Sequence, residues 1–186
     1  WKALDDTYNW DIFHSSLGYQ STLIFGADGA SSVTRNVLHA APDATTIPVT
    51  TSYTGGSGNG KRMIAYCWKS VPGLSKFGSY TGNGSSDGVY VHLGFRPKWW
   101  LVKRTDNDRW YSFDSEMNKY NVANLYISSN SSSGQGGPYD SIDFLSNGFK
   151  IRNTDTGWNG SGLTYIYAAF AEAPTFNLYG AQANAR

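Results

Sequence analysis

The chain has 186 residues, with 15 Lys and Arg against 14 Asp and Glu and a formal net charge of +1. This near-neutral charge, without a long basic run, excludes the electrostatic footprint of a nucleic-acid-binding protein. No apolar run approaches the ~18 residues that a membrane-spanning helix needs, so we expect no membrane partner. Cys67 is the only cysteine, which excludes an internal disulfide and a zinc site built from cysteines.

Composition favours strands and turns. Aromatic residues make up 16% of the chain and there are 21 glycines, whereas good helix formers such as Glu and Met are scarce. The chain opens on Trp1 without an initiator methionine, so we expect it to be a piece of a longer protein.

The predicted elements of the first half are few. Residues 36–40 are predicted to form a helical turn, and residues 63–68 are predicted to form an apolar strand. Within that strand we expect Trp68 to lie in the core and Cys67 to act as a small buried hydrophobe. Trp10, Trp100 and Trp110 are also predicted to be core residues.

The second half carries stronger strand and turn signals. An Asx-rich turn at 105–108 separates two predicted strands, and Asn147-Gly148 between apolar runs predicts a tight hairpin. The last strand has apolar residues on both faces, so we expect it at the centre of a covered sheet. A Ser- and Gly-rich loop is expected at 130–137. The predicted strands are 99–104, 109–114, 124–128, 142–145, 149–152 and 163–171.

Two pairs of segments match at a spacing of about one hundred residues. Residues 1–13 match 100–113, each with a Trp, an Asx-rich turn and a Trp-x-x-Phe. Residues 63–68 match 165–170, each preceded by a Gly- and Asn-rich loop and followed by a proline. We therefore predict an all-β chain, sandwich- or jelly-roll-like, built from two diverged repeats.

The repeats set the predicted domain boundaries. The first repeat spans 1–80 and lacks its lead-in strand. A Gly-rich connector and lead-in spans 81–98, the second repeat spans 99–180, and a tail covers 181–186. Whether the repeats form one sandwich or two is left open.

Residues with catalytic potential are sparse. Residues 55–62 resemble a phosphate-binding loop but end in Arg62 where Ser or Thr is needed, and they precede a predicted strand rather than a helix. The three histidines show no metal-ligand spacing. A glycosidase needs two opposed carboxylates, and nothing in the sequence pairs Asp140 with Asp155. We expect no enzyme activity, no metal and no cofactor.

Aromatic residues in turn-rich loops are the candidates for ligand contact. Trp158 lies among turn residues beside Asp155, a combination that suits a sugar through ring stacking and polar contacts. Tyr139 and Tyr53 occupy comparable Gly-rich loops. The alternative is that Trp158 packs against its own repeat or a neighbouring subunit.

Several long segments resemble an uncharacterised repeat domain found at the C-terminus of tail-fibre-like proteins of phages, especially marine ones. These segments are 76–84, 94–97, 100–104, 143–150 and 164–174, and the closing 183–186 is similar to that family's chain end. The resemblance implies no catalytic residues. It implies a homotrimer and, because such domains often follow lectin-like sandwiches, contact with a glycan or receptor.

The favoured function is therefore a structural or adhesive module of a virion fibre or tail protein. Its expected partners are other virion proteins or a host surface glycan. The alternatives are a polysaccharide depolymerase and a capsid decoration or head-fibre protein. The host, the receptor and the position on the virion lie beyond the sequence.

Overall fold

A computed structural model of the chain describes most of its residues. The described residues are 1–5, 7, 9–25, 33–34, 38–49, 62–129, 131–137, 139–172, 175–176 and 182–183. The chain divides into two compact units. The first comprises Trp1–Trp68 and Thr105–Asp108, and the second comprises Lys69–Arg104 and Arg109–Arg186.

The first unit contains two small antiparallel sheets and a 3-10 turn at Ser15–Leu17. One sheet pairs β1 with β5, and the other has the order β2-β3-β4. Among its described residues, Ala3, Leu23 and Leu38 are buried apolar side chains. The strands are β1 (Lys2–Ala3), β2 (Trp10–Phe13), β3 (Ser21–Phe25), β4 (Val33–Thr34) and β5 (Met63–Ile64).

The second unit is built from longer strands. They are β6 (Ser75–Thr81), β7 (Tyr90–His92), β8 (Pro97–Arg104), β9 (Trp110–Asp114), β10 (Ile127–Ser128), β11 (Ile142–Leu145), β12 (Gly148–Ile151), β13 (Thr164–Ala171), β14 (Thr175–Phe176) and β15 (Gln182–Ala183). A five-stranded antiparallel sheet has the order β10-β9-β8-β13-β6, and a three-stranded sheet has the order β11-β12-β7. β14 and β15 pair with each other.

The core of the second unit lies between these two sheets. Tyr165, Tyr167 and Ala169 alternate along β13 and are at most 4% exposed, which is the period-two burial of a strand that covers a core. Phe149 of the smaller sheet packs on Trp100 of the larger one, with ring centroids 4.3 Å apart. Such aromatic pairs add roughly 0.5–1.5 kcal/mol each beyond the area that they bury. The all-β, sandwich-like prediction is confirmed.

Local signals in the second half predicted its strands well. β8 and β9 form the predicted hairpin, with Lys103 opposite Trp110. β11 and β12 form the predicted hairpin, but its two-residue turn is Ser146-Asn147 rather than Asn147-Gly148, because Gly148 already pairs with Leu145 in the ladder. β13 is a central strand between β8 and β6. The predicted strand 124–128 is shorter, because only Ile127–Ser128 form a ladder.

The prediction for residues 63–68 was wrong. Only Met63–Ile64 are in a strand, and their partner β1 is two residues long, so the chain beyond Ile64 has no ladder to join. Cys67 is exposed and Trp68 is 64% exposed, instead of both lying in the core. Because 165–170 lie in a central strand, the predicted equivalence of the two segments also fails. The two-repeat organisation and its boundaries stay predictions.

The other predicted core tryptophans fall into two groups. Trp100 and Trp110 are buried at 0% and 3% exposure, as predicted, whereas Trp10 on β2 is half-buried. The helical turn predicted at 36–40 is wrong over its described residues, 38–40, because Leu38 forms an isolated bridge with Val49 and the next two residues form a bend; residues 36–37 lie outside the described residues. The near phosphate-binding loop lies outside them except for Arg62.

Candidate functional site

Two predicted site residues, Asp155 and Tyr139, lie near enough to Tyr126 to affect the pKa of its phenol. Tyr126 lies next to β10 and forms an isolated bridge with Gly136. Burial raises the pKa of Tyr126, the nearby Asp155 carboxylate and Tyr139 raise it further, and Arg109 lowers it. Asp155 and Tyr139 come from different loops, so the fold unites residues that are separate in sequence. We call Tyr126, Tyr139, Asp155 and Arg109 the Tyr126 patch.

Trp158 lies beneath this patch rather than on it. The indole is 1% exposed. Its ring lies 5.1 Å from both Tyr111 and Tyr126 and 5.3 Å from Phe113, measured between centroids. Its Nε1 donates to Asn153 Oδ1 at 2.7 Å, so its polar atom is also satisfied. The enclosed indole offers no free face for a sugar in this conformation, and it supports the Tyr126 ring instead.

Asp155 shapes the loop that carries Trp158. Its Oδ1 accepts a hydrogen bond from the Gly157 backbone N–H at 2.7 Å, the geometry of an Asx turn. Its main-chain carbonyl accepts from Trp158 at 3.2 Å and from Asn159 at 2.6 Å. The other carboxylate oxygen, Oδ2, accepts no hydrogen bond from the described part of the chain. The Asp155 side chain is exposed to solvent.

A glycine lies against the Tyr126 ring. Gly136 N–H donates to the Tyr126 carbonyl at 2.9 Å, and a Cβ added at Gly136 would lie 2.3 Å from Tyr126 Cζ. Real Cβ atoms do not approach so closely, so only glycine lets this backbone lie against the ring. The contact holds the Tyr126 ring against the main chain at Gly136.

Tyr139 presents most of its ring to water. The side chain is 64% exposed. Its backbone is nevertheless held at both ends: its N–H donates to the Asn124 carbonyl at 3.4 Å, and its carbonyl accepts from Ser141 Oγ at 2.7 Å. Tyr53, the remaining predicted site residue, lies outside the described residues. The patch thus offers an exposed phenol ring for stacking, with the exposed side chains of Asp155 and Arg109 as hydrogen-bonding groups.

A second feature, an open depression, follows β9 and was missed by the sequence analysis. Its volume is about 420 Å³. Tyr120 on its rim is 85% exposed, the largest exposure among the exposed large hydrophobic residues of the described chain. The lining residues are Glu116, Met117, Asn118, Lys119, Tyr120, Asn121, Val122 and Asn124. We call it the Tyr120 depression.

Several carboxylates elsewhere in the second unit are paired with Arg or Lys side chains. Glu172 accepts from Arg96 Nε at 3.1 Å, and Asp143, which is 6% exposed, accepts from Arg152 Nε at 2.6 Å. Asp87 pairs with Lys150 at 2.7 Å, and this contact lowers the pKa of Asp87. Each of these carboxylates therefore already forms an ion pair within the second unit.

No group of three or more His, Cys, Asp or Glu side chains with metal-binding geometry occurs among the residues that the structure describes. Within the same residues, no helix is both long and apolar enough to cross a bilayer.

Comparison with protein-family models gives one match, a domain of unknown function designated DUF7483, over residues 1–174. The chain belongs to this family. The match covers the predicted first repeat and the second repeat as far as residue 174. No curated protein and no solved structure matches the chain.

Proposed function

We propose that this member of DUF7483 is a structural and adhesive module of a phage fibre or tail protein, and that it holds a host surface glycan at the Tyr126 patch. The patch is the observation on which the adhesive part rests. It combines the exposed ring of Tyr139 with the exposed side chains of Asp155 and Arg109.

Sugar recognition explains this combination better than protein docking does. A pyranose has an apolar face that stacks on an aromatic ring and a rim of hydroxyls that need hydrogen-bond partners. Tyr139 provides the first kind of contact and Asp155 the second. Protein interfaces are also enriched in Tyr and Arg but depleted in Asp, so the Asp155 carboxylate is the feature that favours a sugar here.

The virion part of the proposal rests on the sequence resemblance to phage tail-fibre-like proteins. A sandwich packed with interlocking aromatic rings suits a rigid module exposed outside the host cell. We propose a homotrimer by analogy with such fibres, with other virion proteins as further partners. Immunogold labelling of intact virions with an antibody to this chain would give its position. Labelling of the capsid would favour the head-fibre alternative, and no labelling would contradict a virion role.

The adhesive part is tested by glycan-array binding followed by calorimetric titration against the strongest hits. Tyr139→Ala should weaken binding at least about tenfold, because the stacking ring is lost. Asp155→Asn is the sharper variant. The asparagine oxygen still accepts from Gly157 N–H and keeps the loop, so weaker binding would report the lost charge alone.

Tyr90→Ala is the matched control, because Tyr90 is another exposed tyrosine of the second unit but lies on β7 in the smaller sheet. It should bind as the unmodified chain does. Equal losses in Tyr90→Ala and Tyr139→Ala would contradict a site at the Tyr126 patch. Release of reducing ends from the bound glycan would point to the depolymerase alternative.

A further inference from the structure

The Tyr120 depression has a polar wall and one prominent ring. Lys119 and Glu116 contribute charged groups of opposite sign, and Glu116 also pairs with Lys98. The depression has a volume of about 420 Å³ and is open to solvent, so it could contact one side of a ligand without enclosing it. Such a lining suits a hydroxyl-rich ligand rather than an apolar one.

The loop that forms the depression is held rigidly by Asn118. This side chain is 5% exposed and makes four hydrogen bonds to main-chain atoms. Its Nδ2 donates to the carbonyls of Asp114 and Leu125 at 3.1 and 2.8 Å. Its Oδ1 accepts from the N–H groups of Asn124 and Leu125 at 2.9 and 2.8 Å. All of its hydrogen-bonding capacity is therefore used within the fold.

Asn121 holds the other side of the loop. Its Nδ2 donates to the Phe144 carbonyl at 3.0 Å, and its Oδ1 accepts from the Phe144 N–H at 2.9 Å. Between these two fixed asparagines stands Tyr120, with 85% of its surface in water. The loop is preorganised, yet its largest ring contributes little to the packing of the molecule. A preorganised, solvent-facing ring is what a binding site needs, because little entropy is lost when a ligand stacks on it.

The depression adjoins the Tyr126 patch. Asn124, one of its lining residues, accepts the Tyr139 N–H through its main-chain carbonyl at 3.4 Å. A Cβ at Gly137 would lie 2.5 Å from that same oxygen, so the chain leading to Tyr139 runs directly against this wall. The main chain at Gly137 and Tyr139 therefore contacts a residue that lines the depression, so the two features are neighbours on the second unit.

We propose that the Tyr120 depression is a second subsite for the glycan held at the Tyr126 patch, so that the ligand is an oligosaccharide long enough to reach both. This inference rests on the proposed adhesive function and specifies its ligand class. Tyr139 and Asp155 hold one sugar, and Tyr120 stacks on another farther along the chain. Affinity should therefore rise with oligosaccharide length.

Length-graded oligosaccharides test the inference. The probes are cello-, chito- and malto-oligosaccharides of two to six sugars and graded fragments of bacterial O-antigen, titrated by calorimetry. Tyr120→Ala should leave disaccharide affinity unchanged and lower the affinity of the longest bound oligosaccharide at least about tenfold. Tyr120→Phe, which keeps the ring, should bind as the unmodified chain does. Tyr139→Ala should weaken all lengths.

The outcomes separate the two proposals. Unchanged binding of long oligosaccharides by Tyr120→Ala, or an equal loss at every length, overturns the second subsite while leaving the Tyr126 patch in place. Failure of every series to bind the unmodified chain overturns the glycan function and the subsite together. An unchanged melting temperature in Tyr120→Ala, expected for a side chain this exposed, ensures that a loss of affinity reports binding.

Discussion

The tryptophans of this chain differ widely in solvent exposure. Trp158 is 1% exposed among Tyr111, Phe113 and Tyr126, whereas Trp68 is 64% exposed. Trp158→Ala should therefore destabilise the protein by about 3–5 kcal/mol, through lost burial and the cavity left behind. Trp68→Ala should change the free energy of unfolding by no more than about 0.5 kcal/mol.

Urea unfolding followed by far-UV circular dichroism measures both changes. Trp158→Phe is a graded control, because it keeps an aromatic ring but loses the hydrogen bond to Asn153. Its loss of unfolding free energy should fall between the losses of the two alanine variants. Similar losses for Trp158→Ala and Trp68→Ala would contradict the burial described here.

Tyr80 makes the free energy of unfolding depend on pH in the alkaline range. Its hydroxyl donates to the Trp158 carbonyl at 2.7 Å, and burial, with Tyr165 as a second cause, raises its pKa well above the ordinary 10.0. A pKa raised on folding means that the folded state holds the proton more tightly than the unfolded state. The stabilisation is complete below pH 10 and falls as pH rises toward the folded-state pKa.

Tyr80→Phe removes this titration. At neutral pH it should cost about 0.5–1.5 kcal/mol, because it breaks one hydrogen bond. Above pH 10 the free energy of unfolding should decline more steeply for the unmodified protein than for Tyr80→Phe, as measured by urea unfolding across pH. Parallel declines would mean that Tyr80 does not contribute to the alkaline loss.

At the scale of elements, the pairing of β12 with β7 depends on a glycine. Gly148 is opposite His92, and a Cβ added there would lie 2.1 Å from the Val91 carbonyl oxygen. Because that neighbour is backbone in the smaller sheet, Gly148→Ala must separate the strands. We expect a loss of about 1–3 kcal/mol in urea unfolding. Gly134→Ala is the control, since nothing lies within 4 Å of its Cβ position, and an equal loss there would contradict this account.

The strands differ in whether the residues that predict them lie nearby in the sequence. The hairpins β8–β9 and β11–β12 could be predicted because each has its turn residues between its own two strands. β6 was not predicted, since its partner β13 lies far along the chain and its sequence shows little apolar alternation. The strand predicted at residues 63–68 was wrong because an apolar run resembles a core strand whether or not a partner strand exists.

Part of the candidate site could also be predicted, because its signal lies in local stretches of the sequence. Turn-rich loops with aromatic residues pointed to Asp155 and Tyr139, and both lie on the Tyr126 patch. Tyr126 was missed because it falls in a predicted strand. Burial of Trp158 could not be read from its loop, because the rings that enclose it come from β9 and the segment before β10. Tyr120 carried no sequence signal, since its exposure depends on the bonds of Asn118 and Asn121.

For the molecule as a whole, the distribution of buried residues predicts which part folds by itself. Every buried residue of the main hydrophobic cluster lies between Tyr80 and Ala169. A fragment of residues 69–186 therefore keeps this entire core and both sheets of the sandwich. We expect it to unfold cooperatively in urea and to retain a near-UV circular dichroism spectrum, the signature of fixed aromatic packing. Because it also carries Tyr126, Tyr139 and Asp155, it should bind any glycan that the whole chain binds. A fragment with strand content but no near-UV signal would mean that residues 1–68 are needed to fix the core.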